Sequence, residues 1–347
     1  MKHQDDRWGR APAARARVAG VRRAALALGL ALGLAGVTGA QPASAPRASA
    51  SAVVDLAGLK QSISADDRRR PVASVALAQQ ALAASGLTPQ DRGWLQTRLV
   101  RDLVRLERTD EALAQARIGR SEARDAVNHL HFDRLAMLAL VDGRRNEAAF
   151  KHYQGIEAKL QALAGREADA EAQLIAADAW RLAGSALQGL GRLPEATELL
   201  TRALRILDER PDAVIELAQA LTSMALVHSR SGRLDEALRT EQRAIDVSEA
   251  AGVRTALSGC YLRKAYFLGL LGRVDEQHDT LLKARAAAQD ELRSRNLAVA
   301  ATNLADVALQ KKDYRAALAY AEEAIPLVER TGGDEPLWSA GSTRASR

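Results

Sequence analysis

A chain of 347 residues is long enough for one large domain or two ordinary ones. Ala and Leu dominate it, aromatic residues make up 3%, and the single cysteine, Cys260, excludes an intrachain disulfide. Strong helix formers with few strand formers predict an all-α fold. The net charge is +6, but residues 1–40 hold seven basic and two acidic residues and so carry +5 of it. Residues 41–347 are nearly neutral, which excludes a broad basic surface for nucleic acid.

Residues 1–40 have the pattern of an export signal. Basic residues end in Arg22-Arg23, residues 24–37 are small or apolar, and Thr38-Gly39-Ala40 offers small side chains to a signal peptidase. The apolar run is shorter than the roughly 20 residues that cross a bilayer. We therefore predict cleavage after Ala40 and export to the periplasm, with an uncleaved N-terminal anchor as the alternative. The arginine pair leaves the Sec and twin-arginine routes both open.

The rest of the chain divides into three parts. Residues 41–51 are rich in Pro, Ala and Ser and predict a flexible spacer, 52–330 form the helical region, and 331–347 predict a disordered tail. The tail contains Gly332-Gly333-Asp334-Glu335, which resembles the signature of diguanylate cyclases. That signature works on a hairpin inside a catalytic domain, so we interpret the string here as a helix stop.

A short phrase recurs along the helical region. Its clearest copy is Gly232-Arg-Leu-Asp-Glu-Ala-Leu238, and related copies begin at Gly191, Gly272 and Lys312, with earlier ones at Glu107 and Gly143. A glycine can end one helix in the left-handed conformation, and the residues after it suit the start of the next. The copies are spaced by 36, 48, 41, 40 and 40 residues. The 48-residue step predicts an insertion within 158–172.

Small residues recur in phase with this phrase, where they let antiparallel helices approach closely. The first helix of each unit carries Ala136, Gly184, Ala225, Ala265 and Ala305. The second opens with Ala112, Ala148, Ala196, Ala237 and Ala317, followed seven residues later by Gly119, Gly155, Ala203, Ala244, Ala284 and Ala324.

This register resembles the tetratricopeptide repeat family, in a variant of about 40 residues, over roughly residues 71–330. The resemblance implies a right-handed α-solenoid of antiparallel helix pairs, a tetratricopeptide-like superhelix. A coiled coil would instead keep an uninterrupted seven-residue rhythm.

Chemical motifs are missing from the sequence. His129 and His131 are two residues apart, so they lie on different faces of a helix and do not favour a shared metal. No phosphate-binding loop and no nucleophile with a motif partner occurs. We predict no catalytic residue, metal or cofactor.

The family resemblance implies a concave wall, lined by the first helix of each unit, that binds a peptide or a partner helix. By register the wall comprises Arg98, Arg101, Arg105, Asp133, Arg134, Arg181, Ser185, Thr222, Ser229, Arg263, Tyr266, Asn303 and Asp306. Three arginines on neighbouring turns suit carboxylates. The alternative is that individual residues are ordinary solvated helix positions, some of them paired with Asp102 or Glu107.

The sequence therefore predicts a non-catalytic scaffold that binds a protein or peptide partner, without nucleic acid or, after signal cleavage, a membrane. The alternative is the sensory module of a signalling protein of the diguanylate cyclase or kinase type, lacking its output domain. At the C-terminal repeat, Ile325, Leu327 and Val328 are expected to be partly uncovered, which predicts self-association.

Overall fold

The computed structural model describes residues 58, 60, 61, 71–84, 86–165, 169–254, 257–290 and 294–330. All of these belong to one compact unit, Ser51–Arg347. The predicted signal peptide, spacer and C-terminal tail lie outside the described residues.

Thirteen helices of twelve or more residues account for most of the described chain, which contains no strand. In chain order they are α1 Pro71–Leu82, α2 Pro89–Arg105, α3 Thr109–Glu122, α4 Ala126–Asp142, α5 Asn146–Leu163, α6 Ala170–Gly189, α7 Leu193–Leu207, α8 Val214–Arg230, α9 Leu234–Ala250, α10 Leu257–Leu270, α11 Val274–Asp290, α12 Ser294–Gln310 and α13 Tyr314–Arg330.

These helices stack in sequence order. Each helix packs against the one before and the one after it, and the even-numbered helices also contact one another in the pairs α2–α4, α4–α6, α6–α8 and α10–α12. We call the even-numbered helices the first helices of the units and the odd-numbered helices the second helices. This arrangement confirms the predicted all-α solenoid of helix pairs.

The recurring phrase forms the turn between the two helices of each unit. Gly191, Gly232 and Gly272 have positive φ angles of 78°, 77° and 71°, which a glycine adopts without steric cost. The next residue then donates its backbone N–H to the carbonyl five positions back, as from Arg192 to Leu187 at 2.9 Å. This bond satisfies a carbonyl that the end of the helix leaves without a partner.

The same bond closes the three turns that lack glycine at this position. Glu107, Arg144 and Lys312 have φ angles of 58°, 57° and 60°, and the residues after them donate to carbonyls five positions back at 2.8–2.9 Å. The prediction that Gly143 occupies this position is wrong by one residue, because Gly143 has a φ of −73°. The prediction aligned Gly143 with the glycines of the other turns, whereas the left-handed residue is Arg144.

This shift of one residue also moves the small positions of that unit. The buried alanine is Ala149, not the predicted Ala148, which is exposed. Seven residues on, the buried side chain is Ile156, and the predicted Gly155 is exposed. The other predicted opening alanines of the second helices, such as Ala112, are buried.

Gly119 shows why a small residue is needed at its position. A Cβ placed on Gly119 would lie 2.2 Å from Cε1 of Phe132. The backbone of α3 at Gly119 therefore packs directly against the Phe132 ring of α4. A Cβ on Gly155 would have nothing within 4 Å. The two glycines therefore have opposite roles despite their matching places in the predicted register.

The predicted insertion lies where the two longest helices of the region meet. Helix α5 continues to Leu163 and α6 begins at Ala170, with 18 and 20 residues respectively.

No helix of the described residues is both long and apolar enough to span a membrane.

The C-terminal end agrees with the prediction at two of three positions, Ile325 and Val328, and differs from it at Leu327. Ile325 is 57% exposed, whereas Leu327 is 7% exposed and therefore buried, and Val328 is half-buried. Leu327 points toward the packed side of α13 because it lies three residues after Ala324, which is also buried.

We expect Gly119→Ala and Gly155→Ala to change stability in opposite directions. The first forces Phe132 to move, at a cost of about 1–3 kcal/mol. The second adds a helix-favouring side chain in open space, which stabilises by up to ~1 kcal/mol. Urea denaturation of both variants measures this, and equal effects of one sign would contradict the corrected register.

Candidate functional site

The candidate site is the wall formed by the first helices, four neighbouring pairs of which contact each other while the second helices pack behind them. Its best-defined part lies on α2, α4 and α6. There five predicted arginines lie near two buried carboxylates, and four of the five pair with them. The arginines are Arg98, Arg101, Arg105, Arg134 and Arg181.

Asp102 on α2 is completely buried and pairs with two of these arginines. Its carboxylate accepts from Nε of Arg98 at 2.7 Å and from Nη1 of Arg105 at 3.1 Å. Ser74 of α1 donates its hydroxyl to the same carboxylate at 2.5 Å. A buried carboxylate needs such donors, because an uncompensated buried charge is costly. Arg98 and Arg105 therefore stabilise the fold as well as facing the wall.

Asp178 on α6 forms the second such centre. It lies 2.5 Å from Nη1 of Arg134 on α4 and 2.6 Å from Nη2 of Arg181 on its own helix. Burial alone would raise the pKa of Asp178, but Arg181 and Arg134 hold it at about 2. The carboxylate is thus ionised at neutral pH and joins two neighbouring units.

Arg101 differs from the other four arginines. It is exposed, and within the described residues it forms no hydrogen bond or ion pair. Partial loss of hydration and then the cations of Arg134 and Arg105 lower its pKa, which the carboxylates of Asp178 and Glu216 partly oppose. Five guanidinium groups against the carboxylates of Asp102, Asp178 and Glu216 leave this part of the wall with an excess of positive charge.

A cleft of about 970 Å³ lies beside Arg101, because its lining includes Thr97, one helical turn earlier on α2, and His131, on which the Arg101 cation acts. Trp94 and Thr97 of α2 and His131 of α4 line it. Thr97 Oγ1 lies 3.0 Å from Nε2 of His131. Burial and then the cations of Arg134 and Arg101 lower the pKa of His131 to about 3, so the imidazole is neutral. The sequence reasoning missed these residues, although Trp94 lies four and seven residues before the predicted Arg98 and Arg101 on the same helix face.

The later units place their polar wall residues in a different setting. Thr222 of α8 donates its hydroxyl to the fully buried carboxylate of Glu241 on α9 at 3.1 Å. Nε of Arg263 on α10 lies 3.5 Å from the same oxygen. Burial raises the pKa of Glu241, against the opposing effect of Arg263. Thr222 and Arg263 are thus parts of an internal polar cluster.

The remaining predicted wall residues are not brought together. Asp133 is buried and points at the second helices, where Arg120 lies at 2.9 Å and His152 at 3.2 Å. Ser185 contacts Ser223 at 3.1 Å between neighbouring first helices. The others are half-buried or exposed on successive first helices: Ser229, Tyr266, Asn303 and Asp306.

In the described part of the chain, no group of three or more His, Cys, Asp and Glu side chains is placed to hold a metal ion. Cys260 is buried beside Glu241, and burial raises the pKa of its thiol to about 11.

Comparison with known proteins adds two findings. Two family models described as "Tetratricopeptide repeat" match residues 175–250 and 297–335. No curated protein matches the sequence significantly. The basic part of the wall lies N-terminal to both matched segments.

Solved structures of similar fold include the apo form of RapI, at a TM-score of 0.53 and 13% identity over 80% of this chain and 76% of that one. A Rap protein complexed with Competence and Sporulation Factor gives 0.53 and 11% over 81% and 86%. A STAND protein with a tetratricopeptide repeat sensor from Pyrococcus horikoshii gives 0.58 and 13% over 83% and 43%. At these identities the likeness concerns the fold alone.

We expect Asp178→Asn to destabilise the protein by about 3 kcal/mol at pH 7, because Arg134 and Arg181 lose their shared carboxylate. The matched control is Asp208→Asn, which breaks an exposed pair with Arg243 and should cost no more than about 1 kcal/mol. Urea denaturation gives both values.

The same experiment has a defined pH dependence. The folded-state pKa of Asp178 is about 2, below its ordinary 3.8, so its carboxylate stabilises the fold above pH 4 and loses this effect as the pH falls toward 2. The difference in the free energy of unfolding between the natural protein and Asp178→Asn should therefore become smaller as the pH falls from 4 to 2. A difference that stays constant would contradict the assignment.

Glu241→Gln should show the opposite trend. The pKa of Glu241 is raised in the fold, so its contribution is most favourable below the unfolded pKa and is lost as the pH rises through the folded one. The neutral amide avoids this loss, and we expect the variant to gain stability relative to the natural protein between pH 5 and pH 8. Thermal melts across that range measure the difference, and a relative loss would refute the assignment.

Proposed function

We propose that this chain, whose residues 175–250 and 297–335 match tetratricopeptide repeat models, binds an extended, acidic segment of a partner protein along the wall of its first helices, without catalysing a reaction. The observation that carries the proposal is the excess positive charge at Arg101. Two of its neighbouring carboxylates, Asp102 and Asp178, are already engaged by other arginines. A carboxylate from outside can therefore pair with Arg101 at little cost to the fold.

The cleft beside Arg101 supports binding of a side chain as well as a charge. Trp94 offers an aromatic surface, and Thr97 and the neutral His131 offer hydrogen-bonding groups. Charged side chains of both signs complete the lining of the cleft: Arg92, Arg124, Glu122, Asp125 and Glu171. The later part of the wall is neutral, so it would contribute contact area and not charge.

Two further points support an interaction role. A Rap protein of similar fold forms a complex with Competence and Sporulation Factor, so this architecture accommodates a partner in that case. In this chain the Cys260 thiol is buried and protonated at neutral pH, which does not favour a role as a nucleophile.

We further infer that binding takes place in the periplasm. The support is the leader-like pattern of residues 1–40, with its basic start, apolar run and small residues before position 41.

The proposal predicts how Arg101→Glu changes peptide binding. Panning a displayed library of random peptides against the purified protein should enrich acidic peptides. Reversing the charge at Arg101 should weaken an enriched peptide by about tenfold, which corresponds to ~1.4 kcal/mol, and added salt should weaken binding to the natural protein. Isothermal titration calorimetry measures both effects.

The control is Arg205→Glu, because Arg205 is exposed on the second helix α7 and, within the described residues, forms no ion pair. It makes the same change of charge away from the wall. Equal affinity of the two variants would contradict binding at the wall. Failure of a folded protein to enrich any peptide would favour the alternative of a sensory module.

A further inference from the structure

The last second helix, α13, exposes a row of large apolar side chains. Tyr314, Leu318 and Ile325 are 69%, 62% and 57% exposed, and spacings of four and seven residues place them on one face of the helix. Leu309, at the end of α12, is 52% exposed and lies just before the turn into α13. We call these four residues the end stripe.

Two of the three equivalent positions in an earlier unit are packed against the next first helix. Counting from the left-handed residue of each turn, Tyr314, Leu318 and Ile325 correspond to Leu234, Leu238 and Ile245 of α9. Ile245 is buried with Leu257 and Cys260 of α10, and Leu238 packs on a cluster that contains Phe267 of α10. The end stripe is thus the surface on which this fold seats another α-helix.

Among the described residues, helix α1 at the N-terminal end of the array does not offer a matching surface. On α1 the exposed large apolar residue is Val72, and the exposed residues that follow, Ala76, Gln79 and Gln80, are small or polar. A head-to-tail chain of copies would therefore place the end stripe against a surface with little to bury.

Helix α13 is instead complementary to a second copy of itself. Lys312 and Arg315 lie near its start and Glu322 lies in its second half. An antiparallel pair that crosses near Leu318 brings Arg315 of each copy beside Glu322 of the other. Both side chains are exposed, and neither forms an ion pair with any described residue.

We propose that the end stripe is the interface of a two-fold symmetric homodimer, formed by α13 against α13 of a second copy. Two-fold dimers with self-complementary interfaces are the commonest protein oligomers. The first-helix wall stays open in this dimer, so the proposal is independent of what the wall binds. Because one helix per copy buries little area, the dimer should dissociate on dilution.

Sedimentation velocity of the purified full chain over a concentration series tests the proposal. We expect a monomer–dimer equilibrium that Leu318→Arg or Ile325→Arg shifts to monomer at all accessible concentrations. Val72→Arg, an equally exposed apolar position at the other end, should leave the equilibrium unchanged. Circular dichroism melts confirm that the variants are folded, which their exposure favours.

A charge exchange distinguishes self-pairing from any other occupant. Arg315→Glu and Glu322→Arg should each weaken the dimer, because both reciprocal contacts become repulsive. An equimolar mixture of the two variants restores both contacts, so mixed dimers should form at least tenfold more tightly than either variant alone.

A protein that is monomeric at every concentration overturns the proposal and assigns the end stripe to a segment of the same chain or to a different protein. A dimer that survives Leu318→Arg, or a mixture that associates no better than its components, overturns it as well.

Discussion

The backbone bond that closes each turn sets the geometry on which the rest of the molecule depends. In six successive units the residue after a left-handed position donates to the carbonyl five residues back, whether that position is Gly232 or the less suited Lys312. The bond fixes the direction in which the second helix leaves the first. Repeating it places all first helices in one layer and all second helices in another, which is why a wall exists at all.

Small side chains then decide how closely those layers approach. At Gly119 the chain leaves no room for a methyl group, because the ring of Phe132 occupies that space. At Gly184 a Cβ would meet Leu200 at 2.8 Å. These contacts hold the helices of a unit together without a disulfide. They also bring buried polar groups of neighbouring first helices within hydrogen-bonding distance.

The charged part of the wall combines stability with recognition. Asp102 and Asp178 are held in the protein interior by arginines whose other surfaces reach the wall. Four of the five arginines therefore already pair with a carboxylate of the same chain, and Arg101 is the one whose charge can pair with a partner protein. In the later units the buried carboxylate of Glu241 lies 3.5 Å from Nε of Arg263. Burial nevertheless outweighs that cation, so the pKa of Glu241 is raised. The two halves of the array thus differ in electrostatics although they share one repeat.

The sequence by itself determined the all-α fold, the repeat and most of its turns, because helix propensity, left-handed glycines and small residues are local properties of the chain. It placed Arg98, Arg101, Arg134 and Arg181 on one wall, since register along a helix follows from counting. Only the tertiary structure decided that Arg144 and not Gly143 makes the second turn, and that Asp133 faces the second helices. It also showed that Asp102 engages Arg98 and Arg105, which leaves Arg101 without a partner among the described residues. Ion pairing depends on side chains that meet from different helices, and spacing along one helix does not specify those distances.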